Sequence, residues 1–450
     1  MKARIHFRQL RARALVFFVS LSFLSPLALW LTTTQAQPDL NFQRERGRAM
    51  LKVIKDELKK EYYDPDFHGM DVEARFKTAD EKIKEAESVG HVFGIIGQAL
   101  LDLNDSHTFF LPPSRANRTE YGWQMQAVGD KVFVSAVKPG SDAEKKGVKV
   151  GDQVLSLHGF QPSREALWKL TYMFYALRPQ PGLRVVLQSP DGQQRQSDVM
   201  ANVKQGKVLL DISGGGGDFW DLWRELEEED RLNRQRYVEV DDNLFIWKMP
   251  SFEATEQGVE DVMRKARKHE ALILDLRGNP GGYVKTLEWF TGYFFDKELK
   301  IADLKGRKEM RPQTSQPHRD RNFKGKLIVL VDSRSASAAE IFARVVQIEK
   351  RGVVIGDRTA GAVMQSRAFG RLLGEGSGVI YGASITNADV IMSDGKSLER
   401  VGVTPDELLL PTAADLAAKR DPVLARAAAM AGFELPPDKA GAMFPLEWRK

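Results

Sequence analysis

The chain has 450 residues, 42% of them hydrophobic and 28% charged, a balance typical of a soluble globular protein with roughly two to three domains. The formal net charge is +5. Basic residues are scattered among acids and form no stripe of the kind that binds nucleic acid, so no such partner is expected. Cysteine does not occur, which excludes disulfides, thiol catalysis and cysteine-ligated metal.

Residues 1–36 have the pattern of a secretory signal peptide. Five basic residues precede and adjoin an apolar run from Ala14 to Leu31, and the stretch ends in the small residue Ala36. We expect cleavage there and a periplasmic or secreted mature chain, whose formal charge is zero without the five basic residues. The alternative is an uncleaved membrane anchor, since the run approaches the span of about 20 residues. This is the only membrane contact that the sequence suggests.

Residues 37–115 are predicted to form an N-terminal helical region. Apolar residues recur at helical spacing in "AMLKVIKDELKKEYY" and again in "VFGIIGQALLDL", and "YYDPDFHGMD" interrupts them. The following stretch "LNDSHTFFLPP" predicts a turn that carries His107 between a buried helix and an apolar segment.

Residues 116–205 are predicted to form a compact β-rich domain. Short alternating segments indicate strands in "GWQMQAV", "KVFVSAV", "GDQVLSLHG" and "RVVLQSP". One short helix is expected near Asp142 to Lys146, closed by Gly147. A Gly-rich stretch at 213–217 and the acidic helix "DLWRELEEEDRL" separate this module from the remainder.

Residues 206–413 are predicted to form an α/β core, followed by an Ala-rich helical tail over 414–450. Strands alternate with helices, as in "ALILDLR", "VKTLEWFTGYFF", "KLIVLVD", "SAAEIFARVVQIEK" and "GVVIGD". The run "ALILDLR" is apolar enough to be a parallel strand buried on both faces.

The stretch "VDSRSASAAEIF" (331–342) places three serines at a strand-to-helix junction. Free N–H groups at a helix start stabilise an oxyanion, so Ser337 is a candidate nucleophile. The alternative is a capping box between Ser337 and Glu340. A second junction, "DLRGNPGGYV" (275–284), lacks the lysine of a phosphate loop and is either a tight turn or a source of oxyanion donors.

His107 differs from the other six histidines, which lie in the signal, in charged stretches or at a strand end. No two histidines stand at metal-ligand spacing, so neither a metal nor a cofactor is expected.

Six motifs in one order resemble the C-terminal processing (tail-specific) peptidase family, from about residue 61 to 410. They are "LNDSHTFFLPP", "KPGSDAEKKGVKVGDQVLSLHG", "LILDLRGNPGG", "VDSRSASAAEIFA", "VVIGDRTAG" and "LERVGVTPDELL". The resemblance implies a crotonase-like αβ spiral core with an inserted PDZ-like domain. It also implies that Ser337 is the nucleophile, with the N–H groups of Ala338 and Gly282 as oxyanion donors.

The Ser-Lys branch of this family carries its lysine after "T-x-G", where this chain has Ala362. The chain is therefore more similar to the Ser-His-Glu branch that includes the tricorn core protease. That branch implies His107 as general base and Glu399 as the carboxylate that orients it, although Glu399 could also be a solvated loop residue. A histidine base predicts activity that rises through roughly pH 6 to 7.5.

The resemblance implies an exported serine endopeptidase that cleaves proteins or peptides near free C-termini. The loop of Gly122, Trp123 and Gln124 is expected to hold the terminal carboxylate of a substrate while an edge strand pairs with its tail. The alternative is a non-catalytic peptide- or ligand-binding protein on the same fold, because the lysine is absent.

Overall fold

The computed structural model describes residues 39–113, 117–205, 234–240, 243–373 and 379–448. The expected signal segment, the Gly-rich stretch at 213–217 and the acidic helix after it lie outside these residues. The chain divides into two units, 1–39 and 40–450, and the second is described below. Within the described ranges, no helix is long and apolar enough to cross a membrane.

Three helices and a short strand form the N-terminal region: α1 (Leu40–Glu61), α2 (Val72–Lys84), α3 (Val89–Leu101) and β1 (Phe109–Leu111). Asp71 and Ser88 cap α2 and α3 by accepting backbone N–H groups of the first turn. The apolar faces of the helices share one buried cluster with Tyr381, Ala383 and Ile385 of a later strand. The predicted helical region is thus packed directly on the α/β core.

The middle of the chain forms a five-stranded antiparallel sheet and a small two-stranded one. The seven strands are β2 (Asn117–Glu120), β3 (Trp123–Val128), β4 (Lys131–Val137), β5 (Gln153–Leu157), β6 (Gly182–Gln188), β7 (Gln194–Met200) and β8 (Asn202–Gln205). The larger sheet has the order β3-β4-β5-β6-β7, and β2 pairs with β8. The four predicted strands and the short helix α4 (Asp142–Lys145) are confirmed.

One helix of this unit was not predicted. The helix α5 (Leu167–Thr171) continues as a π-helix over Tyr172–Leu177, in a stretch rich in aromatic residues. It lies beside β3, which is an edge strand of its sheet.

Within the described residues of the core, the first strand is β9 (Arg236–Val240), and these residues form two sheets and three helices. Its other strands are β10 (Leu244–Lys248), β11 (Ala271–Asp275), β12 (Leu299–Lys305), β13 (Gln313–Ser315), β14 (Lys326–Val331), β15 (Val353–Gly356), β16 (Met364–Leu373), β17 (Val379–Met392) and β18 (Glu407–Leu408). The helices are α6 (Glu256–Ala266), α7 (Val284–Thr291) and α8 (Ala338–Ile348).

The larger core sheet has the order β18-β15-β14-β11-β10-β9 and is parallel except for β9. All five residues of β11 are buried, as predicted for a parallel strand covered on both faces. The second sheet has the order β1-β17-β12-β13, and β16 forms a long hairpin with β17.

The tail is helical, as predicted, with α9 (Ala413–Ala417), α10 (Pro422–Met430) and α11 (Pro437–Ala442). Val423, Leu424 and Ala427 of α10 share a buried cluster with residues of β10, β11, β14 and β15. The tail therefore covers one face of the larger core sheet.

A buried charge network holds the carboxyl end of β11. The carboxylate of Asp275 accepts hydrogen bonds from Lys248 Nζ (3.1 Å) and from Arg277 Nη2 (2.8 Å), and Arg277 also pairs with Asp421 of the tail (2.7 Å). Burial alone would raise the pKa of Asp275, but the two cations hold it below its ordinary value. This network anchors the glycine-rich turn that follows β11.

Candidate active site

The structure distinguishes the three serines that follow β14. Ser335 is fully buried and donates its hydroxyl to the carbonyl of Leu276 at 2.8 Å. Ser333 donates its hydroxyl to the carbonyl of Ala127 at 2.5 Å. Both hydroxyls thus tie parts of the chain together. Ser337 instead stands at the start of α8 with φ of 54°, a left-handed conformation that costs free energy in a non-glycine residue.

The glycine-rich turn lies against Ser337. Gly281 has φ of 94°, and a Cβ atom built on it would stand 2.6 Å from Ser337 Cβ and 2.9 Å from the backbone nitrogen of Ala338. No larger residue fits without displacing the serine loop. Asn279 links the turn to that loop by accepting the backbone N–H of Ala336 at 2.9 Å.

The N–H groups of Gly282 and Ala338 have no hydrogen-bond partner among the described residues. They follow directly on Gly281 and Ser337, which lie against each other. Two free N–H groups, one on the residue after the serine and one on the turn packed against it, are the arrangement expected for an oxyanion site. Gly282 and Ala338 are the donors that the family resemblance implies, whereas the close approach at Gly281 was not predicted, although the repeated glycine was a signal for it.

Glu340, on the first turn of α8, is completely buried. Its carboxylate accepts the N–H groups of Ser337 (3.0 Å), Gly361 (2.8 Å) and Ala362 (2.9 Å) and the hydroxyl of Thr359 (2.5 Å). Burial raises its pKa to about 7, against the effect of these donors. Glu340 therefore does more than cap a helix, because it also fixes the backbone of the segment from Thr359 to Ala362.

His107 and Glu399 are connected through Ser106. The Ser106 hydroxyl lies 2.8 Å from His107 Nδ1 and donates to Glu399 Oε2 at 2.8 Å. A hydroxyl that donates to the carboxylate accepts from Nδ1–H, and this tautomer leaves Nε2 free to take a proton. Glu399 therefore reaches His107 through the Ser106 hydroxyl. The role of Ser106 was not predicted, because nothing in the adjacent pair Ser106-His107 indicates a contact with the distant Glu399.

Glu399 is not a solvated loop carboxylate. Its side chain is 15% exposed, and it also accepts the N–H groups of Ser106 (3.0 Å) and Val363 (2.9 Å). Burial raises its pKa above the ordinary value, although its hydrogen bonds oppose this shift.

Asp105 shapes the turn that carries His107. This buried carboxylate accepts the N–H groups of His107 (2.8 Å) and Thr108 (3.0 Å), the hydroxyl of Thr386 on β17 (2.7 Å) and that of Tyr62 (3.1 Å). Burial lowers the pKa of His107 below its ordinary value, and the charge of Asp105 opposes that shift. The imidazole is therefore held mainly in its neutral form near pH 7.

The segment from Gly361 to Val363 joins the two halves of the site. The Ala362 carbonyl accepts the N–H of Ser337 at 2.9 Å, and the next residue, Val363, donates to Glu399. Ser337 and the His107 turn are thereby attached to the same short stretch of backbone.

A cavity of about 710 Å³ opens beside this segment. Its wall includes Ser106, Ala336 and Ala362 of the site together with Trp123 and Gln124 of β3. Gly122, the third residue of the predicted carboxylate loop, lines a separate cavity of about 390 Å³. Across the described part of the chain, no group of three or more histidine, aspartate or glutamate side chains is placed to hold a metal ion.

The contact at Gly281 predicts a selective defect. Replacing Gly281 by Ala should reduce the reaction of the protein with a fluorophosphonate probe by about 100-fold or more, because Cβ displaces Ser337 and Ala338. Gly159→Ala is the matched control, since Gly159 has φ of 89° and nothing within 4 Å of an added Cβ. Both variants carry the backbone strain, but only the first crowds the serine. Equal labelling of the two variants would contradict this account.

The model of peptidase family S41 matches residues 245–409. Over 285 residues the chain is 26% identical to the tail-specific protease of Haemophilus influenzae, covering 59% of this chain and 38% of that protein. It is 24% identical over 345 residues to the carboxy-terminal processing protease CtpA of Bacillus subtilis, a match that covers 73% of this chain and 64% of that protein. The chain thus spans less than two thirds of either relative.

Among solved structures, mature CPAF superposes with a TM-score of 0.61 at 16% identity, covering 84% of this chain and 94% of that one. A likeness at this identity shows the fold alone, which is mixed α/β. The matched residues 245–409 contain Ser337, Gly282, Ala338 and Glu399, whereas His107 lies outside them. Residues 245–409 of this chain are a domain of peptidase family S41.

Proposed function

We propose that this chain is an exported serine endopeptidase that cleaves proteins or peptides near their C-termini. The observation that carries the proposal is the Ser106 hydroxyl, which connects Glu399 to His107 beside the backbone segment that holds Ser337. The family S41 domain and relatives named as tail-specific and carboxy-terminal processing proteases support it.

In this proposal Ser337 Oγ attacks the scissile carbonyl while His107 Nε2 takes its proton. The N–H groups of Gly282 and Ala338 stabilise the oxyanion of the tetrahedral intermediate. When the intermediate collapses, the leaving amine takes the proton from His107 and an acyl-enzyme remains. A water molecule, deprotonated by the same imidazole, then releases the acid. Glu399 stabilises the imidazolium through the Ser106 hydroxyl.

The finer architecture is part of the same proposal. The core over 206–413 would be crotonase-like, the unit over 116–205 would be PDZ-like, and residues 37–115 and 414–450 would be helical additions. An edge strand, β3, lies beside α5 along the cavity, which supports capture of a substrate tail by strand addition. Trp123 and Gln124 line that cavity and are the residues of the carboxylate loop that such a tail would meet.

The alternative, a non-catalytic binding protein, rested on the missing lysine at Ala362. The hydrogen bonds of Ser106 argue against this alternative. They leave His107 Nε2 able to accept a proton, so the site does not need a lysine as its base. A binding protein has no use for a strained serine with two free N–H groups beside it.

Substitution of the proposed base and nucleophile tests the function. Ser337→Ala and His107→Ala should each lower turnover of a fluorogenic peptide by on the order of 10⁴ or more, and the double variant should be little worse. Glu399→Gln should cost less, since it acts through Ser106. Ser333→Ala is the control and should keep fluorophosphonate labelling. Undiminished turnover in His107→Ala would show that another base serves Ser337.

The pH dependence of activity should report two titrating side chains, His107 and Glu340. Protonation of His107 removes the base, and its lowered pKa puts that loss below pH 6.5. Protonation of Glu340 removes an acceptor from the serine loop, with a pKa of about 7. Activity should therefore fall in two steps as the pH drops, the first near 7. Glu340→Gln should abolish the first step and keep the second. An unchanged profile in that variant would exclude Glu340 as the source of the upper step.

Export is tested at the N-terminus. The pattern of residues 1–36 predicts that the mature protein begins near Gln37 and is recovered outside the cytoplasm. Cell fractionation and N-terminal sequencing measure both. A cytoplasmic protein that keeps Met1 would overturn this part of the proposal, and a membrane-bound protein that keeps Met1 would support the uncleaved anchor.

A further inference from the structure

Two cationic side chains converge on one amide at the edge of the site. Lys169 Nζ of α5 donates to Asn104 Oδ1 at 3.2 Å. Arg400, the residue after Glu399, donates to the same Oδ1 through Nη2. It also donates to the backbone carbonyl of Asn104, from Nη2 at 2.6 Å and from Nε at 3.0 Å. An ammonium and a guanidinium therefore share a single neutral oxygen.

The positive charge at this place is poorly compensated. No carboxylate in the described part of the chain lies within 4 Å of Lys169 Nζ. The charge of Asp102 favours the protonated form of Lys169. The Asp102 carboxylate, however, already accepts a hydrogen bond from Arg75 Nε at 2.5 Å. Glu399 Oε1 is 3.8 Å from Arg400 Nε, but its oxygens already accept three hydrogen bonds. Burial and the charge of Arg400 lower the pKa of Lys169. An added anion would relieve this repulsion.

One member of the pair, Arg400, lines the cavity beside the site, and Lys169 follows a residue that lines it. Arg400 and Trp168, the neighbour of Lys169, line the 710 Å³ cavity together with Ser106 and Gly361. Asn104 precedes His107 by three residues. Tyr172 and Tyr175 line the same cavity, together with the charged side chains Arg164, Glu165, Arg334 and Arg358.

We propose that Lys169 and Arg400 form a carboxylate-binding subsite beside the catalytic serine. One oxygen of the substrate carboxylate accepts a hydrogen bond from Lys169, and the other accepts one from Arg400. These bonds replace those that both side chains donate to the amide oxygen of Asn104. The subsite selects substrates with an acidic side chain, or the terminal carboxylate itself, a few residues from the scissile bond. This inference rests on the proposed peptidase function.

A peptide series measures the selection. One apolar peptide is made with Glu or with Gln at each position around the cleavage site, and each is made with a free or an amidated C-terminus. The wild-type chain should show kcat/KM higher by roughly 10-fold or more for the carboxylate at one position. Lys169→Met should lose this preference and still cleave the Gln peptide, whereas Lys149→Met, at an exposed lysine of the same unit, should keep it.

The two comparisons, Glu against Gln and free against amidated C-terminus, identify the source of the carboxylate. A Glu-over-Gln preference that depends on Lys169 assigns the subsite to an acidic side chain, and an amidation effect that depends on Lys169 assigns it to the terminus. A further peptide with Lys at the selected position is compared for Lys169→Glu, which should cleave it better relative to the Glu peptide than the wild-type chain does. This gain guards against a folding defect in the first variant. Equal kcat/KM for all peptides in the wild-type chain would overturn the subsite alone. Absence of both cleavage and fluorophosphonate labelling would overturn the peptidase function instead.

Discussion

One fully buried carboxylate, Glu340, and one partly buried carboxylate, Glu399, share three consecutive backbone N–H groups, and the geometry of the whole site depends on this division. The Glu340 carboxylate accepts the N–H groups of Gly361 and Ala362, and the Glu399 carboxylate accepts the N–H group of Val363. Through the first carboxylate the segment is attached to Ser337, and through the second to Ser106, which is 293 residues away from Glu399 in the chain. A buried carboxylate is tolerated only when several donors surround it, so each acid requires the conformation that it stabilises.

Ala362 shows how this arrangement does without a lysine. Its backbone carries the link between the two carboxylates, while its methyl side chain contributes no base. The base that we propose, His107, comes from the N-terminal helical region, whose turn is shaped by Asp105 and by Thr386 of β17. Because that region shares a buried cluster with β17, the position of the imidazole depends on packing between the helices and the core.

Local patterns predicted the parts of the fold whose signal is local. The apolar runs of β11 and β14 and the periodic helix α8 were read correctly, since burial on both faces and helical spacing are visible in short windows. The hairpin of β16 and β17 was missed because β16 alternates irregularly, and β17 is continuously buried over 381–386 and alternates only from 386 to 392. The serine junction was recognised, but the Ser106 bridge and the approach of Gly281 to Ser337 join distant segments and leave no local pattern.

The most direct test of the account is a crystal structure of the fluorophosphonate adduct. The account predicts a phosphonyl group on Ser337 Oγ, its oxygen within hydrogen-bond distance of the N–H groups of Gly282 and Ala338, and His107 Nε2 facing the adduct. The Ser106 hydroxyl should still join His107 to Glu399. An adduct on Ser333 or Ser335, or a phosphonyl oxygen bound elsewhere with His107 turned away, would contradict the assignment of nucleophile, oxyanion site and base.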